Sequence, residues 1–246
     1  MLRLTGGGDY NLILVVGARQ IGMSKIIPVA RQLKLPKEKL LGDWIVCIPG
    51  FALKKYRQLQ RSRLSIFSIN CFGGLISHTL GLPFYSPFVN LFMREKEFIR
   101  FLRAPRLYMK EKPTFKEMCF ERTLKRDYPV ITIGNVDVYM NHYVDFDEAV
   151  KIWEKRKARI NWYNLFVTAY TESEEILEQF DALPYGKKVC FVPFKSDLDS
   201  AWYIDPTIRK DLEYWNVVNH FAKGEPFYYD QFDMLLYGKK TQLIKM

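Results

Sequence analysis

One short stretch of this sequence combines residue types that could carry chemistry. An apolar run ends at Asn70-Cys71, and Gly73-Gly74 follow where a helix should begin. Backbone N–H groups at a helix start can hold an anion or a developing oxyanion, and a cysteine at that position is favoured as the thiolate. His78 lies seven residues after Cys71. His78 can share Cys71's side of that helix only if the helix begins early, and on that condition Cys71 and His78 are predicted as a catalytic pair. The structural alternative is a packed cysteine beside glycines that allow a close strand–helix crossing.

The elements around this stretch must bring further polar residues to it. If strands 12–16, 44–48 and 64–69 are parallel, their carboxyl ends share one sheet edge, where ligands bind in open α/β sheets. His142 ends a strand in the second half, and we expect it to approach that edge as a third catalytic residue. One pocket is therefore predicted to contain Asn70, Cys71, Gly73, His78, Ser86, Asn90 and His142. The predicted substrate-binding residues are Asn70, Gly73, Gly74, Ser86, Asn90, Arg159 and Asn161.

A second glycine turn lies near the N-terminus, between a strand pattern and a helix pattern. A dinucleotide-binding fingerprint would stand here, but Arg19 occupies the position that needs a glycine, and no acidic residue ends the next strand. The turn disfavours NAD and FAD. It predicts a Rossmann-like unit that is either structural or binds the phosphate of a nucleotide sugar through Gly17, Arg19 and Gly22. The sequence identifies no cofactor.

Two Asp-x-Asp patterns, Asp145–Asp147 and Asp197–Asp199, match the signature of metal–diphosphate sites. The first directly precedes a predicted helix, where aspartate is a favoured N-cap, and capping explains it better. The second lies in a polar loop. Because the four cysteines are scattered singly and only three histidines occur, no metal site is predicted.

Strand and helix patterns alternate along most of the chain, which predicts an α/β fold: three α/β/α layers with a mixed, mainly parallel sheet. Residues 1–60 are predicted to form a Rossmann-like N-terminal subdomain, and residues 61–246 the main α/β domain. Gly134-Asn135 predicts a hairpin that makes the sheet mixed. The predicted strands are 12–16, 44–48, 64–69, 130–133, 136–142, 165–169 and 188–192, and the predicted helices are 21–33, 51–59, 74–80, 92–102, 146–160 and 173–180.

The net charge of +10 is unevenly distributed. Residues 1–129 carry 23 basic and 9 acidic side chains, whereas residues 130–246 carry 14 and 18. A basic half indicates an anionic partner, such as a sugar phosphate or an acidic membrane surface, unless the charges only solvate helix faces. No nucleic-acid-binding motif accompanies the charges, so nucleic acid is disfavoured. The aromatic tail beyond residue 200 either completes the core or forms a homodimer interface.

The chain contains no apolar run of about 18 residues and no apolar signal-peptide segment at its start. Isolated cysteines are typical of a reducing compartment. We therefore expect a cytoplasmic protein. If its anionic partner is a membrane, we expect it to bind peripherally at the inner face of that membrane.

Several longer motifs resemble those of a bacterial family whose members are commonly described as exopolysaccharide or capsular polysaccharide biosynthesis proteins. The motifs span residues 44–195 and are Asn70–Gly74, Gly81–Phe92, His142-Tyr143, Glu148-Ala149, Trp153, Arg156, Arg159–Asn161, Asn164–Val167, Phe180–Tyr185 and Lys188-Val189. The resemblance implies a three-layer α/β fold and a role in surface polysaccharide assembly. It implies little about mechanism, because the family is a domain of unknown function.

Three functions are compatible with these observations. The first is a sugar-modifying transferase, glycosyl or other, that binds a nucleotide sugar or a lipid-linked sugar phosphate. The second is a non-catalytic scaffold that docks on the membrane beside glycosyltransferases. The third is an acyltransferase or hydrolase that depends on Cys71.

Overall fold

The computed structural model describes residues 12–16, 44–48, 53–122, 125–223 and 229–242. The predicted helix 21–33 and the predicted phosphate-binding residues Gly17, Arg19 and Gly22 lie outside these ranges. None of the helices in the described ranges is long and apolar enough to cross a membrane. The chain divides into a terminal unit (1–64, 75–83 and 206–246) and a central unit (65–74 and 84–205).

The strands are β1 (Leu12–Val16), β2 (Trp44–Ile48), β3 (Ser65–Ser68), β4 (Thr114–Glu121), β5 (Arg126–Ile133), β6 (Val136–Tyr139), β7 (Leu165–Tyr170), β8 (Lys188–Val192) and β9 (Ala201–Tyr203). The α-helices are α1 (Leu53–Arg61), α2 (Phe72–Thr79), α3 (Glu95–Arg103), α4 (Pro105–Tyr108), α5 (Phe146–Lys157), α6 (Glu174–Asp181), α7 (Tyr214–Ala222) and α8 (Gln231–Tyr237). A 3₁₀ turn covers Pro206–Arg209.

The central unit is built on a parallel sheet of order β3-β7-β8-β9. Ser65 pairs with Leu165, Val167 with Lys188, and Cys190 with Ala201. Consecutive side chains of these strands are buried without alternation, as expected of parallel strands that are covered on both faces. The predicted α/β fold with a mainly parallel sheet is confirmed.

Aromatic side chains fill the core of the central unit. The ring of Phe88 lies 4.9 Å from Phe67, 5.1 Å from Phe101 and 5.8 Å from Trp153, measured between centroids. All four side chains are buried, and burying one such ring contributes about 2–3 kcal/mol. This packing fixes β3 and α5, the two elements that flank the candidate site.

A second, antiparallel sheet of the central unit has the order β4-β5-β6. The predicted hairpin at Gly134-Asn135 joins β5 to β6, with Gly134 at φ 60°, a left-handed conformation that favours glycine. However, the hairpin does not enter the parallel sheet, so the prediction that it makes that sheet mixed is wrong. Strand β4 was not predicted, because its side chains are largely exposed and give no one-sided apolar signal.

The strands β1 and β2 of the terminal unit pair antiparallel, with Leu12 opposite Ile48. The prediction that both strands run parallel in one sheet with β3 is wrong, since they form a separate two-stranded sheet. Apolar runs show where strands occur but not their direction, and the segment 17–43 is long enough for the chain to return either way.

Helices α1 and α8 of the terminal unit are held together by an aromatic contact and an ion cluster. The rings of Tyr56 in α1 and Phe232 in α8 meet edge to face at 6.3 Å. Nearby, Nζ of Lys55 lies 2.7 Å from Oδ2 of Asp230 and 2.8 Å from Oδ1 of Asp233. Asp230 also caps α8 by accepting hydrogen bonds from the N–H groups of Phe232 and Asp233.

Candidate functional site

The central unit brings Cys71 and His142 into contact. Sγ of Cys71 lies 3.6 Å from Nε2 of His142, although 71 residues separate them in the chain. Cys71 follows the carboxyl end of β3 and directly precedes α2, and His142 lies between β6 and α5. Both side chains retain solvent access. A thiol within hydrogen-bonding distance of an imidazole is the arrangement that activates a cysteine nucleophile.

The turn that carries Cys71 is held by side-chain hydrogen bonds. Oδ1 of Asn70 accepts a hydrogen bond from the N–H of Phe72 at 3.0 Å, and Oγ of Ser68 accepts one from the N–H of Gly73 at 3.1 Å. The hydroxyl of Ser68 donates to the carbonyl of Asn70 at 2.8 Å. Two of the N–H groups at the start of α2 therefore have internal acceptors, in contrast to the expectation that they face a ligand.

The two glycines of this turn have packing roles. A Cβ atom on Gly73 would lie 2.7 Å from Oγ of Ser68 and 3.0 Å from Cγ2 of Ile66. A Cβ atom on Gly74 would lie 3.2 Å from Cγ1 of Val89. Glycine permits the start of α2 to approach β3 and the segment around Val89 closely, which agrees with the structural alternative for the Gly-Gly pair.

The surroundings of His142 favour its neutral form. Partial burial of the ring lowers the pKa of His142 below its usual 6.5, and the positive charge of Arg126 lowers it further, while Glu121 opposes both. Arg126 and Glu121 face each other across β4 and β5. Arg126 also donates from Nη2 to the carbonyl of Asn141 at 3.2 Å. A neutral imidazole can accept the proton of Cys71 at neutral pH.

Three buried polar atoms in this region lack a hydrogen-bond partner among the described residues: Nδ2 of Asn70, Nε of Arg126 and Oδ1 of Asn141. Asn70 directly precedes Cys71, and Asn141 directly precedes His142. Buried polar groups normally find partners, and functional sites are a common place for exceptions. The unmatched polar atoms thus lie on the same two segments as the candidate pair.

Hydrogen bonds of Tyr143 and Arg156 hold the segment that carries His142. Nη1 of Arg156 donates to the hydroxyl of Tyr143 at 2.7 Å and to the carbonyl of Val89 at 2.9 Å. Tyr143 donates in turn to the same carbonyl at 3.4 Å. Burial raises the pKa of Tyr143, so its hydroxyl stays protonated. These bonds connect α5 to the loop before α3 and position the residue next to His142.

The other predicted site residues are distributed more widely. His78 is exposed, and the rise of α2 keeps it about 10 Å from Cys71 along the helix axis. Asn90 is exposed with φ 62°, and Oγ of Ser86 is buried, where it accepts from the N–H of Phe88. The structure therefore does not bring His78 to the thiol.

Two predicted substrate-binding residues lie at the opposite edge of the parallel sheet. The N–H of Asn161 donates to Oγ of Ser65, the first residue of β3, at 2.8 Å. Arg159 is exposed two residues earlier in the chain. Cys71, by contrast, follows the last residue of β3. Asn161 and Arg159 are thus separated from Cys71 by the length of the strand.

Arg126 and Glu121 are not among the residues predicted from the sequence. Both belong to the β4–β5 hairpin, and an opposite-charge pair across a turn is the signal that identifies them. That signal is readable only once β4 is recognised as a strand. The capping interpretation of Asp145 is confirmed, since its side chain accepts from the N–H of Glu148 at 2.7 Å. In the described ranges, no three His, Cys, Asp or Glu side chains are grouped to hold a metal ion.

Comparison with known proteins shows a family relationship. Residues 46–238 match the family model of a domain of unknown function, DUF1919. A protein from Haemophilus influenzae, named as an uncharacterized protein, is 31% identical over 182 residues, which cover 72% of this chain and 84% of the relative. The residues that match the family model include both Cys71 and His142.

Proposed function

The chain belongs to the DUF1919 family, and from this premise we propose that it is a cysteine-dependent acyl-transfer enzyme acting in surface polysaccharide assembly. One observation carries the proposal: Sγ of Cys71 lies 3.6 Å from Nε2 of His142, at the carboxyl end of a parallel strand and the start of a helix. Ligand sites of open α/β sheets occur at this edge.

The proposed reaction proceeds in two halves. In the first, His142 takes the proton of Cys71, Sγ bonds to the acyl carbon, and the bond from that carbon to the donor oxygen or sulfur breaks. His142 then returns the proton to the departing atom. In the second, His142 takes a proton from water or a sugar hydroxyl, and the oxygen of that group bonds to the acyl carbon as the bond to Sγ breaks. His142 then gives the proton to Sγ, which restores the thiol.

Arg126 has two roles in this proposal. Its charge adds to the larger effect of partial burial in lowering the pKa of His142, which favours the neutral form that a general base requires. We also assign to it the attraction of an anionic substrate. Because the N–H groups of Phe72 and Gly73 are bound internally, Arg126 is the group that we assign to the negative charge that develops during acyl transfer.

The polysaccharide context rests on the motif resemblance and on the basic first half of the chain. In this proposal the acyl acceptor is a hydroxyl of a sugar, and the protein works in the cytoplasm at the inner face of the membrane. Glycosyl transfer from a nucleotide sugar or a lipid-linked sugar phosphate, and non-catalytic docking on the membrane, are the competing hypotheses that the experiment below must separate.

The test is acylation of the intact protein by p-nitrophenyl acetate, followed by mass spectrometry and by the release of nitrophenol. We expect one acetyl group on Cys71, and a loss of at least about 100-fold in rate for Cys71→Ala and His142→Gln, in the range of general-base catalysis. Cys119→Ala is the matched control, because Cys119 is also a partly exposed thiol, and it should react as the unmodified chain does.

Equal nitrophenol release by Cys71→Ala and the unmodified chain would contradict the proposal. Acetylation of Cys71 that is unaffected by His142→Gln would also contradict it, because the thiol would then react without the imidazole. Either result would favour the glycosyl-transfer or scaffold hypothesis.

A further inference from the structure

A cavity of about 300 Å³ lies at the amino edge of the parallel sheet, away from Cys71. Its lining includes Leu165, the first residue of β7, together with Arg103, Arg106, Trp162 and Tyr185. A neighbouring cavity of about 410 Å³ shares Arg103 and adds Glu178 and Gln179. Both cavities lie within the central unit, and both volumes fall in the range of small-molecule sites.

The aromatic walls of the smaller cavity are fixed by contacts with the core. The ring of Trp162 meets Phe67 edge to face at 5.8 Å between centroids, and the guanidinium of Arg106 stacks 4.5 Å from the Trp162 ring centre. The hydroxyl of Tyr185 donates to the carbonyl of Leu102 at 2.6 Å. Little ordering is therefore needed before a ligand can bind.

The positive charges of the cavity are not neutralised by ion pairs within the described residues. Arg103 donates from Nη2 to Oε1 of Gln179 at 3.2 Å, and Arg106 stacks on Trp162. Glu178 is the carboxylate that lines the neighbouring cavity. Two exposed guanidinium groups at one concave surface attract an anion, and their planar geometry suits phosphate and carboxylate.

We propose that this cavity binds a saccharide that carries an anionic group, a phosphate or a carboxylate. The arginines hold the anion, and the parts of the Trp162 and Tyr185 rings that line the cavity pack against the carbon skeleton of the sugar ring. The volume suits a single sugar unit. Asn161, predicted as a substrate-binding residue, directly precedes Trp162 at this edge. The proposal does not require Cys71 to be a nucleophile.

The test is a calorimetric titration of the full chain with glucose 1-phosphate, glucuronate, glucose and inorganic phosphate. We expect glucose 1-phosphate or glucuronate to bind more tightly than glucose and than phosphate alone, and the preference between them identifies the anionic group. Arg103→Gln and Arg106→Gln should each weaken that binding about tenfold, the loss of one charge-assisted contact at an exposed site.

Two variants serve as controls. Lys96→Gln removes the same charge from the exposed surface of α3 without touching the cavity and should leave affinity unchanged. Cys71→Ala should also leave it unchanged, which separates this site from the thiol. Circular dichroism confirms the fold of each variant. The proposal is overturned if no probe binds, if glucose or inorganic phosphate binds as well as the combined ligand, or if Lys96→Gln weakens binding as much as the arginine variants.

Discussion

Substituting Gly73 by alanine tests whether close packing at the start of α2 holds the turn of Cys71. The new Cβ atom would lie 2.7 Å from Oγ of Ser68 and 3.0 Å from Cγ2 of Ile66, both closer than a Cβ atom normally approaches another side-chain atom. Both neighbours belong to the buried strand β3, so they have little room to move. We expect Gly73→Ala to destabilise the protein even though alanine is the better helix former.

The magnitude follows from three contributions. Overpacking by one methyl group costs about 1–3 kcal/mol. Displacing Ser68 also weakens its hydrogen bond from the N–H of Gly73, which is worth about 1 kcal/mol. The gain in helix propensity offsets about 1 kcal/mol. The net loss in the free energy of unfolding is therefore about 2 kcal/mol, which lowers the urea midpoint by about 1 M for a typical denaturant slope.

The assay is urea unfolding followed by far-ultraviolet circular dichroism, with two comparison variants. Gly186→Ala is the matched control, because a Cβ atom there meets nothing within 4 Å, and its midpoint should stay within about 0.5 kcal/mol of the parent. Ser68→Ala combined with Gly73→Ala should be less destabilised than the two separate losses together, since the closest contact disappears. If Gly73→Ala and Gly186→Ala have the same urea midpoint, the packing explanation of this turn is refuted.

Three further predictions concern charge and backbone conformation. Arg126→Gln should raise the pKa of His142, because it removes a positive charge that lowers this pKa. The neutral imidazole is then lost at a higher pH, so the pH below which alkylation of Cys71 slows should move upward. An unchanged pH profile would exclude an electrostatic coupling between Arg126 and His142. Lys55→Met should lower the free energy of unfolding by about 2 kcal/mol. The loss is smaller than for a fully buried ion pair, because Lys55 is 30% exposed while Asp230 is buried. Equal stability of the two proteins in urea would show that the ion cluster of Lys55, Asp230 and Asp233 contributes nothing. Asn90→Ala should lose about 1 kcal/mol at its φ of 62° and Asn90→Gly should not, as thermal unfolding can show; equal melting temperatures would refute a conformational role.

The parallel strands β7 and β8 of the central unit were predictable because buried strands require short runs of apolar residues, which are visible in the sequence. The predicted strand 188–192 coincides with β8, and the predicted strand 165–169 differs from β7 by one residue. Strand β4 gives no such signal, since Phe115, Met118 and Phe120 are exposed among charged residues. Its existence depends on pairing with β5, an interaction between segments that a local pattern does not contain.

The candidate site was predictable to the extent that it depends on local sequence. The strand end, the cysteine and the glycines around Cys71 are neighbours in the chain, and the pattern identified them. Its contact with His142 depends on where a separate hairpin lies, and the contribution of Arg126 depends on the missed strand β4. Both His142 and His78 were expected beside Cys71. His78 is near Cys71 in sequence, but the rise of the helix outweighs that proximity.

The length of β3 explains why one predicted site became two. Ser65 begins this strand beside Asn161, and Ser68 ends it just before the turn of Cys71. Four extended residues span about 13 Å, which is too far for one small ligand to contact the residues at both ends of the strand. The sequence places polar residues at both ends without showing which edge each one faces. The chemistry of the thiol and the recognition of an anionic sugar are therefore assigned to opposite edges of the sheet, and a variant at one edge should leave the other unaffected.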